Sequence, residues 1–369
     1  MFFRYVYTLT IGMEELKMLP KVTVIILNYN GKKYLGSLLD EAVESALNQT
    51  YSNTEVVFAD NGSDDSSVEH VTKKYSNKIK IVALGKNYGF CLGNNLASKQ
   101  VPPETKYLLF LNPDAMLSKE YVAKLVSLME NDQTIGVAQG LEVSQDGSRG
   151  GIGGLVSIYG EGHFVWLEEA DIQSLESKKV TVLWASGSAM FVRKELFDKV
   201  GGFSSEFFMY YDEIDLCCRI LCLGFRTVGI LTVRYTHKAG GTVVSKRTKM
   251  RARYFDTRNR WLIVIRYFPK KFLLHCSAAF LAEFLSNVYR SSFKERALRR
   301  ESFSLYFRIV SYLVKNLGRE LCIRNSYEKV QKLIANYAIP EPLPLKINKV
   351  SVASFMMEHG FRSEKFEST

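Results

Sequence analysis

The sequence has few of the residues on which disulfide-bonded and zinc-bound proteins depend. Its 369 residues include 6 cysteines, 5 histidines and 8 prolines, and no two cysteines are spaced as Cys-x-x-Cys. Cys217, Cys218 and Cys222 fall on one predicted helix, but positions i, i+1 and i+5 do not share a helical face, which argues against a three-thiolate metal site. We therefore expect buried, reduced thiols, as in a protein of the reducing cytoplasm.

A secretory leader and a membrane-spanning helix are also not expected. Residues 1–19 contain a short apolar run but neither a basic n-region nor a small-residue cleavage site, and we hypothesise that translation starts at Met13 or Met18. Residues 272–289 form an almost continuous apolar stretch, which the charge of Glu283 interrupts. Because a charge at the centre of a bilayer costs roughly 2.5–3.5 kcal/mol, a spanning helix is not favoured there.

The positive charge of the chain is concentrated in its last third. Residues 246–369 contain 25 Lys and Arg against 10 Asp and Glu, a net charge of +15, whereas the whole chain carries +11. Such a region favours an anionic partner. The change in composition divides the chain into an N-terminal extension, an α/β domain, a basic and aromatic helical region and a loosely structured tail, at residues 1–20, 21–245, 246–340 and 341–369.

Strands and helices alternate through the first part of the α/β domain, which predicts βαβ units and a parallel sheet. The predicted strands are apolar runs, as expected for strands covered on both faces, at residues 22–27, 55–59, 79–83, 107–111 and 135–139. Helical apolar spacing occupies the segments between them, at residues 35–46, 65–75, 91–99 and 118–130. We predict an α/β, Rossmann-like fold with a mostly parallel sheet and flanking helices, followed by an α-helical C-terminal region.

Residues 141–179 break this alternation. Seven glycines lie between residues 147 and 162, and we expect a long loop that supplies substrate contacts rather than core. Regular structure is expected to return with strands at residues 180–185 and 189–192 and with a helix at residues 212–223.

The predicted strand at residues 107–111 runs directly into the turn Asn112-Pro113-Asp114. Pro113 supplies no N–H and biases Asn112 away from helical geometry, so the strand must end there. Asp114 then lies just beyond the carboxyl end of a central strand, at the edge where open α/β sheets bind ligands. A plain turn without a functional role is the alternative that these three residues alone leave open.

Several motifs follow one another in the order found in one enzyme family. They are VIILNYNG at 24–31, DNGSxD at 60–65, NYGFxxGNN at 87–95, LNPD at 111–114, GGF at 201–203, FFMYYDEIDLC at 207–217 and His237. Over residues 21–266 they closely resemble glycosyltransferase family 2, especially its rhamnosyltransferase-like branch, and Arg258-Asn259-Arg260 resembles the segment after that family's catalytic domain. The resemblance implies a GT-A fold, a nucleotide-diphosphate sugar donor, Mg²⁺ or Mn²⁺, and inversion at the anomeric carbon.

The resemblance assigns one group of residues to the nucleotide-sugar. Asp60 would accept hydrogen bonds from a nucleobase; the alternative is helix N-capping by the turn at residues 60–65, which fits Asp65 or Ser63 better than Asp60. Gly89 would wall the donor, although a positive φ alone also explains it. The whole group comprises Asn28, Asn30, Asp60, Asn87, Gly89, Phe90, Asn95, Asn112 and Gly187.

The metal would be held by Asp114 and His237. Members of the family often have Asp-x-Asp where this chain has Asn112-Pro113-Asp114, which leaves a single anionic ligand in that motif. We therefore expect modest metal affinity, with part of the coordination supplied by the diphosphate. A structural role for His237 is the alternative.

The general base would come from the pair Asp212-Glu213. The family usually has Glu-Asp at this place with the second carboxylate as base, so Glu213 is the first choice and Asp212 stays open because the order is reversed. Asp215 would orient the start of the helix or the acceptor loop. We also assign Trp184 and the glycine-rich segment to the acceptor side.

The resemblance and the basic C-terminal region together predict the partners. The acceptor would be a glycan or polyprenyl-linked glycan at the cytoplasmic face of the cell membrane, with a peripheral contact to an anionic membrane surface and no nucleic acid. Tyr306, Ile309, Val310, Leu313 and Leu317 share one helical face, which is typical of an interfacial helix, and packing on the α/β domain is the alternative. A nucleotidyltransferase would need a glycine-rich phosphate loop after the first strand, which is absent, and a nucleic-acid-binding protein would not need the acidic residues.

Overall fold

The computed structural model describes residues 19–144, 146–157, 159–174, 179–238, 246–294, 296–334 and 338–339. The predicted alternative start codons and the predicted loose tail lie outside these residues. The strands are β1 Lys21–Asn28, β2 Thr54–Asp60, β3 Lys80–Ala83, β4 Thr105–Leu111, β5 Ala115–Leu117, β6 Ile135–Val143, β7 Arg149–Ser157, β8 Gly162–Glu168, β9 Lys179–Val182, β10 Ala189–Arg193, β11 Arg226–His237 and β12 Ala338–Ile339.

The helices follow the predicted apolar spacing, and α2, for example, buries Leu39, Ala42, Val43 and Ala46 on one face. A short 3₁₀ turn at Ser205–Phe207 precedes the helix of the acidic motif. The helices are α1 Gly31–Leu35, α2 Ser37–Leu47, α3 Ser67–Tyr75, α4 Gly89–Ser98, α5 Tyr121–Asn131, α6 Glu169–Ser174, α7 Lys194–Lys199, α8 Asp212–Cys222, α9 Lys246–Tyr267, α10 Lys270–Lys294, α11 Arg296–Ser326 and α12 Glu328–Ile334.

The sheet begins as predicted, with parallel strands in the order β3-β2-β1-β4. Beyond β4 it becomes mixed, because β10 pairs antiparallel with both β4 and β6. Helices cover both faces, and the strand residues Ile25 and Leu109 belong to two separate buried apolar clusters. The GT-A, α/β architecture with a helical C-terminal region is confirmed, and the carboxyl ends of β1, β2 and β4 meet at one edge of the sheet.

The glycine-rich segment is not the loop that its composition predicts. It forms β7 and β8, an antiparallel pair that extends the sheet from β6. Its glycines permit close packing, since a Cβ at Gly151 would lie 2.1 Å from Phe164 Cε1 and one at Gly154 would lie 2.1 Å from Trp184 Cε2. The prediction of a substrate-contacting loop was therefore wrong, because these glycines serve packing between strands.

The C-terminal helices pack onto the α/β domain through α9 and α12, both of which contact α8, and α11 contacts both α9 and α10. Tyr306 and Ile309, which the sequence assigned to a membrane-facing side, are buried against Met250, Tyr254 and Phe280. That part of the interfacial-helix prediction was wrong, and these two residues pack within the helical C-terminal region rather than on the α/β domain, which was the stated alternative. Within the described residues, none of the helices combines the length and apolarity needed to cross a bilayer. None of the six cysteines takes part in a disulfide, and four of them are buried.

Candidate active site

A cleft of about 520 Å³ opens where β1 and β4 end. Its lining comes from the loops that follow the strands, from the start of α4, from the segment before β10 and from the loop that enters α8. One charged residue of α9 also reaches it. The polar lining residues are Tyr29, Asn61, Asn87, Asn112, Asp114, Ser186, Ser188, Tyr210, Asp212, Glu213, His237 and Arg251.

Asp114 and His237 meet at one part of this cleft because β5 and β11 pair antiparallel. Ala115 lies opposite His237 in that register, so the preceding Asp114 points at the imidazole. Asp114 Oδ1 lies 3.3 Å from His237 Nε2, and the Asn112 amide lies 3.2 Å from the same nitrogen. The fold brings these three residues together although 125 positions separate Asn112 from His237.

The imidazole of His237 also faces a second carboxylate on its other side. Its Nδ1 lies 3.6 Å from Glu142 Oε1, and Tyr235 donates a 2.7 Å hydrogen bond to Glu142 Oε2. Burial lowers the pKa of His237, but Asp114 and Glu142 outweigh it and raise that pKa to about 9. The two carboxylates therefore favour positive charge between them.

This donor set suits one divalent cation with an incomplete protein shell. Two adjacent ligands of an octahedral ion at about 2.1 Å lie about 3.0 Å apart, close to the observed spacing of Asp114 and His237. Glu142 is then placed to orient the imidazole, as carboxylates behind metal-bound histidines do. Among the described residues no group of three or more acidic, histidine or cysteine side chains could hold a metal ion, so substrate oxygens would have to complete the coordination.

The loop that enters α8 is strained. Phe208, Tyr210 and Tyr211 have φ values of +64°, +66° and +61°, in the left-handed region that residues other than glycine seldom adopt. Its carbonyl groups are held from α9, where Asn259 Nδ2 donates to the backbone oxygens of Phe207, Met209 and Tyr210 at 2.9, 2.8 and 2.9 Å. The amide is thus fully used in fixing this loop.

Two further contacts tie the loop to its surroundings. Arg258 donates from Nε to Asn259 Oδ1 at 2.9 Å and so fixes the amide orientation. The amide N–H of Phe90 donates to the carbonyl of Phe208 at 2.7 Å. Gly89, with φ +78°, has no room for a side chain there, since a Cβ would lie 2.6 Å from the Phe208 ring. The positive φ predicted for Gly89 is present, and Gly89 lines the cleft, so its contact with a donor stays a prediction.

Asp212 and Glu213 occupy the first turn of α8 immediately after this loop, and both line the cleft. Asp212 is buried and Glu213 is partly exposed. Burial raises the pKa of both carboxyls, and the nearby charge of Glu213 raises that of Asp212 further. A pair of this kind retains a proton more strongly than exposed carboxylates, and its partly exposed member is the one open to a ligand.

Asp215 lies one turn deeper and does not face the cleft. It is fully buried and accepts hydrogen bonds from Arg219 Nε at 2.9 Å, Arg266 Nη1 at 3.0 Å and Tyr267 Oη at 2.7 Å. Burial alone would raise its pKa, but Arg219 and Arg266 lower it to about 2. Its charge joins the start of α8 to α9, because Arg266 belongs to α9, which agrees with the predicted role of orienting the helix start. A role of Asp215 on the acceptor side stays a prediction.

Trp184 is likewise a packing residue. Its side chain is 8% exposed, donates from Nε1 to the carbonyl of Leu155 at 3.1 Å and lies against Phe164. It is not among the cleft residues. An acceptor-side role for Trp184 stays a prediction.

The residues predicted to bind the nucleotide-sugar divide into two groups. Asn87, Gly89, Phe90, Asn112 and Gly187 line the cleft. The other four support its walls, and their side chains are engaged within the protein: Asn28, Asn30, Asp60 and Asn95.

Asp60 shows why the second group lies behind the cleft. Its carboxylate accepts from Asn28 at 3.0 Å and from the Ser63 amide and hydroxyl at 2.9 and 2.6 Å. These contacts fix the turn that follows β2 and differ from the helix N-capping alternative, because the next helix begins only at Ser67. Contact of Asp60 with a nucleobase stays a prediction, and neighbouring Asn61 lines the cleft instead.

Sequence reasoning missed Arg251, Glu142 and Asn61. Arg251 lines the cleft from α9, with its guanidinium carbon 4.3 Å from the centre of the Phe208 ring. In the sequence it is one of many cations in a basic region, and nothing local separates it from the rest. Asn61 stands beside Asp60 in the motif at residues 60–65, so that motif could have indicated it.

Comparison with known proteins agrees with this architecture. The model of the family "Glycosyl transferase family 2" matches residues 23–201. The chain carries a glycosyltransferase family 2 domain. It is accordingly a glycosyltransferase.

Two relatives of this glycosyltransferase are rhamnosyltransferases. It is 25% identical over 223 residues to the N-acetylglucosaminyl-diphospho-decaprenol L-rhamnosyltransferase of Mycobacterium tuberculosis, covering 55% of this chain and 72% of the relative. It is 25% identical over 238 residues to the rhamnosyltransferase WbbL of Escherichia coli, covering 61% and 87%. Both alignments support the rhamnosyltransferase-like branch.

A solved structure shares the fold of this glycosyltransferase. The mannosyltransferase PcManGT of Pyrobaculum calidifontis, in complex with GDP-Man and Mn²⁺, matches with a TM-score of 0.50 at 16% identity and covers 96% of this chain and 93% of its own. At that identity the likeness concerns the fold.

Proposed function

We propose that this glycosyltransferase is an inverting enzyme that transfers one sugar from a nucleotide-diphosphate donor to a hydroxyl group of a polyprenyl-linked glycan. The observation that carries the proposal is that one cleft contains both the Asp114–His237 pair and the Asp212–Glu213 pair. The first pair suits a cation next to a diphosphate, and the second suits a general base. A cleft of about 520 Å³ is of the size that holds a small-molecule ligand.

Glu213 is the proposed base. Its carboxylate takes the proton from the acceptor hydroxyl as that oxygen forms a bond to the anomeric carbon, while the bond to the diphosphate breaks and the diphosphate leaves with the electron pair. Because attack and departure occur on opposite faces of the sugar, the product has the inverted configuration. Burial and the charge of Glu213 raise the pKa of Asp212 well above its ordinary value, so Asp212 is the member of the pair that keeps a proton.

Asp114 and His237 would hold Mg²⁺ or Mn²⁺, which when bound supplies positive charge to the departing diphosphate. Asn112 lies within the same group and can present its amide oxygen. Arg251 adds a permanent cation to the cleft, and the flat faces of Phe208 and Phe255 fix it at 4.3 and 5.7 Å. We assign Arg251 to a phosphate group of donor or acceptor.

The relatives supply the substrate class. Both are rhamnosyltransferases, and one acts, by its name, on a diphospho-decaprenol acceptor. We therefore propose a deoxyhexose such as rhamnose as the donor sugar and a polyprenyl-diphosphate glycan as the acceptor. With these substrates, the enzyme would act in cell-envelope polysaccharide synthesis at the cytoplasmic face of the membrane.

A donor screen tests the proposal. Purified enzyme is offered UDP-, GDP- and dTDP-sugars with Mn²⁺, binding is measured by thermal shift, and the configuration of the transferred sugar is determined by NMR. We expect one class of donor to stabilise the protein and the product to have the inverted anomeric configuration. Retention of configuration, or stabilisation by none of the nucleotide-sugars, would refute the proposal.

A further inference from the structure

An apolar row runs along the outer side of α11. Its members recur every three or four residues and therefore share one helical face. Phe307 is 68% exposed and Val314 is 67% exposed, and each of the others is at least 43% exposed. The row consists of Phe303, Phe307, Val310, Val314, Leu317 and Leu321.

The neighbouring helix α10 widens this row into a face. Leu281 and Leu285 are 55% and 56% exposed. The rings of Phe284 in α10 and Phe303 in α11 lie 6.2 Å apart, so the two exposed rows border the seam between the helices. Other sides of the two helices pack within the protein, since Ile309 of α11 is buried in a cluster that includes Phe280 of α10.

On α10 and α11, the exposed charged side chains that the structure describes are cationic. On these two helices the structure describes the side chains of two carboxylates, and both are turned inward: Glu283 pairs with Arg260, and Glu320 is fully buried against Arg266 at 2.6 Å. Arg308 and Lys315 of α11 are exposed. Over residues 270–326 the sequence has 11 Lys and Arg against 4 Asp and Glu.

A further basic surface lies at one end of the pair of helices α10 and α11. Where α10 begins and α11 ends, a cleft of about 770 Å³ is lined by four cations and one carboxylate: Lys270, Lys271, Arg324, Lys332 and Glu328. Within this cleft the Glu328 carboxylate lies 3.3 Å from Lys332, and the cations of the lining outnumber its carboxylates by four to one. Such a surface attracts phosphate groups.

We propose that the face formed by these rows of α10 and α11 docks on the surface of an anionic phospholipid bilayer. Exposed apolar side chains would enter the boundary between headgroups and acyl chains, and the surrounding cations would contact lipid phosphates. A second copy of this chain would cover the apolar rows but would bring like charges together. The docking deepens the proposed function, on which it rests for the lipid-linked acceptor, because it brings the enzyme to the layer that holds that substrate.

Vesicle flotation of the full chain tests the inference. We compare vesicles of phosphatidylcholine with vesicles that also contain phosphatidylglycerol, using the wild type and the double variant Phe307→Glu/Val314→Glu. Both replaced side chains are exposed, so the fold should persist, which circular dichroism and thermal melting check. Ser304→Glu is the matched control, since it adds an acidic group to an exposed position of α11 outside the apolar row.

We expect the wild type and Ser304→Glu to float with the anionic vesicles and the double variant to bind them at least about tenfold more weakly. Binding should also weaken in Arg308→Gln/Lys315→Gln and at high salt. A wild type that stays unbound to both vesicle types, or a folded double variant that floats as the wild type does, would overturn the proposal. So would a concentration-dependent dimer that the double variant abolishes, since the face would then be an interface between copies.

Activity on a water-soluble acceptor keeps this test apart from the proposed function. The double variant should transfer sugar to a short-chain, detergent-free acceptor at the wild-type rate, because none of its changes lies in the cleft. If the wild type transfers sugar but does not float, the docking face is refuted and the proposed function stands.

Discussion

Replacing Asn259 by aspartate should release the loop that leads into the acidic pair while leaving the rest of the fold in place. The change keeps the oxygen that accepts from Arg258 but removes the N–H groups that hold three backbone carbonyls at 2.8 to 2.9 Å. The two N–H groups share the three carbonyls and together contribute about 2 kcal/mol, and the carboxylate oxygen that replaces them finds no donor there, which costs about 1 kcal/mol more, so the held conformation loses about 3 kcal/mol. Because three residues of the loop have strained backbone conformations, we expect the loop to leave this conformation once those hydrogen bonds are lost.

A loss of about 3 kcal/mol corresponds to roughly 100-fold in the population of the competent loop. We therefore expect the transfer rate at saturating donor and acceptor to fall by roughly 100-fold, with a much smaller change in global unfolding temperature. Asn131→Asp, at an exposed asparagine at the end of α5, serves as the matched control and should retain wild-type activity. If Asn259→Asp retains a rate within about threefold of wild type, the loop does not depend on this clamp and the reasoning fails.

Three further predictions concern the same cleft. Asp114→Ala should abolish the Mn²⁺-dependent part of donor binding in calorimetry, and unchanged binding with and without chelator would remove the metal role. Burial raises the pKa of Asp212 and Glu213, and only an unprotonated base accepts a proton. The transfer rate should therefore start to fall, as the pH is lowered, at a pH above the ordinary carboxyl pKa of about 4.3. A transfer rate that stays constant down to that pH would contradict this prediction. Gly89→Ala should lower activity about tenfold or more, because its φ of +78° and the ring of Phe208 exclude a Cβ, and a fully active variant would show that the loop can move aside.

The elements near the cleft could be predicted because their signals are local. The strand at β4 is an apolar run that Pro113 ends, and this alone puts Asp114 at the edge of the sheet. The helical start of the acidic motif at α8 follows in the same way from its sequence. Which residues meet across that edge depends on strand pairing, and here the family resemblance supplied His237, whose register with Ala115 the structure then gave.

Other features depend on contacts that no local pattern contains. The glycines of β7 serve the packing of Trp184 and Phe164, which lie elsewhere in the chain, so composition alone favoured a loop. The amphipathic pattern of α11 indicated an apolar side but not what covers it, and Tyr306 proved to be buried within the protein. The role of Asn259 is visible only once α9 lies beside a loop about fifty residues earlier.

The most direct test of the central claim is sugar transfer by Glu213→Gln, with donor affinity measured on the same preparation. Glutamine keeps the size and polarity of the side chain but does not act as a base at neutral pH. We predict a fall in the transfer rate of roughly 100-fold or more, within the range typical of general-base catalysis, with donor affinity unchanged. A variant that binds the donor and transfers sugar at the wild-type rate would contradict the account and would leave Asp212 as the remaining candidate for the base.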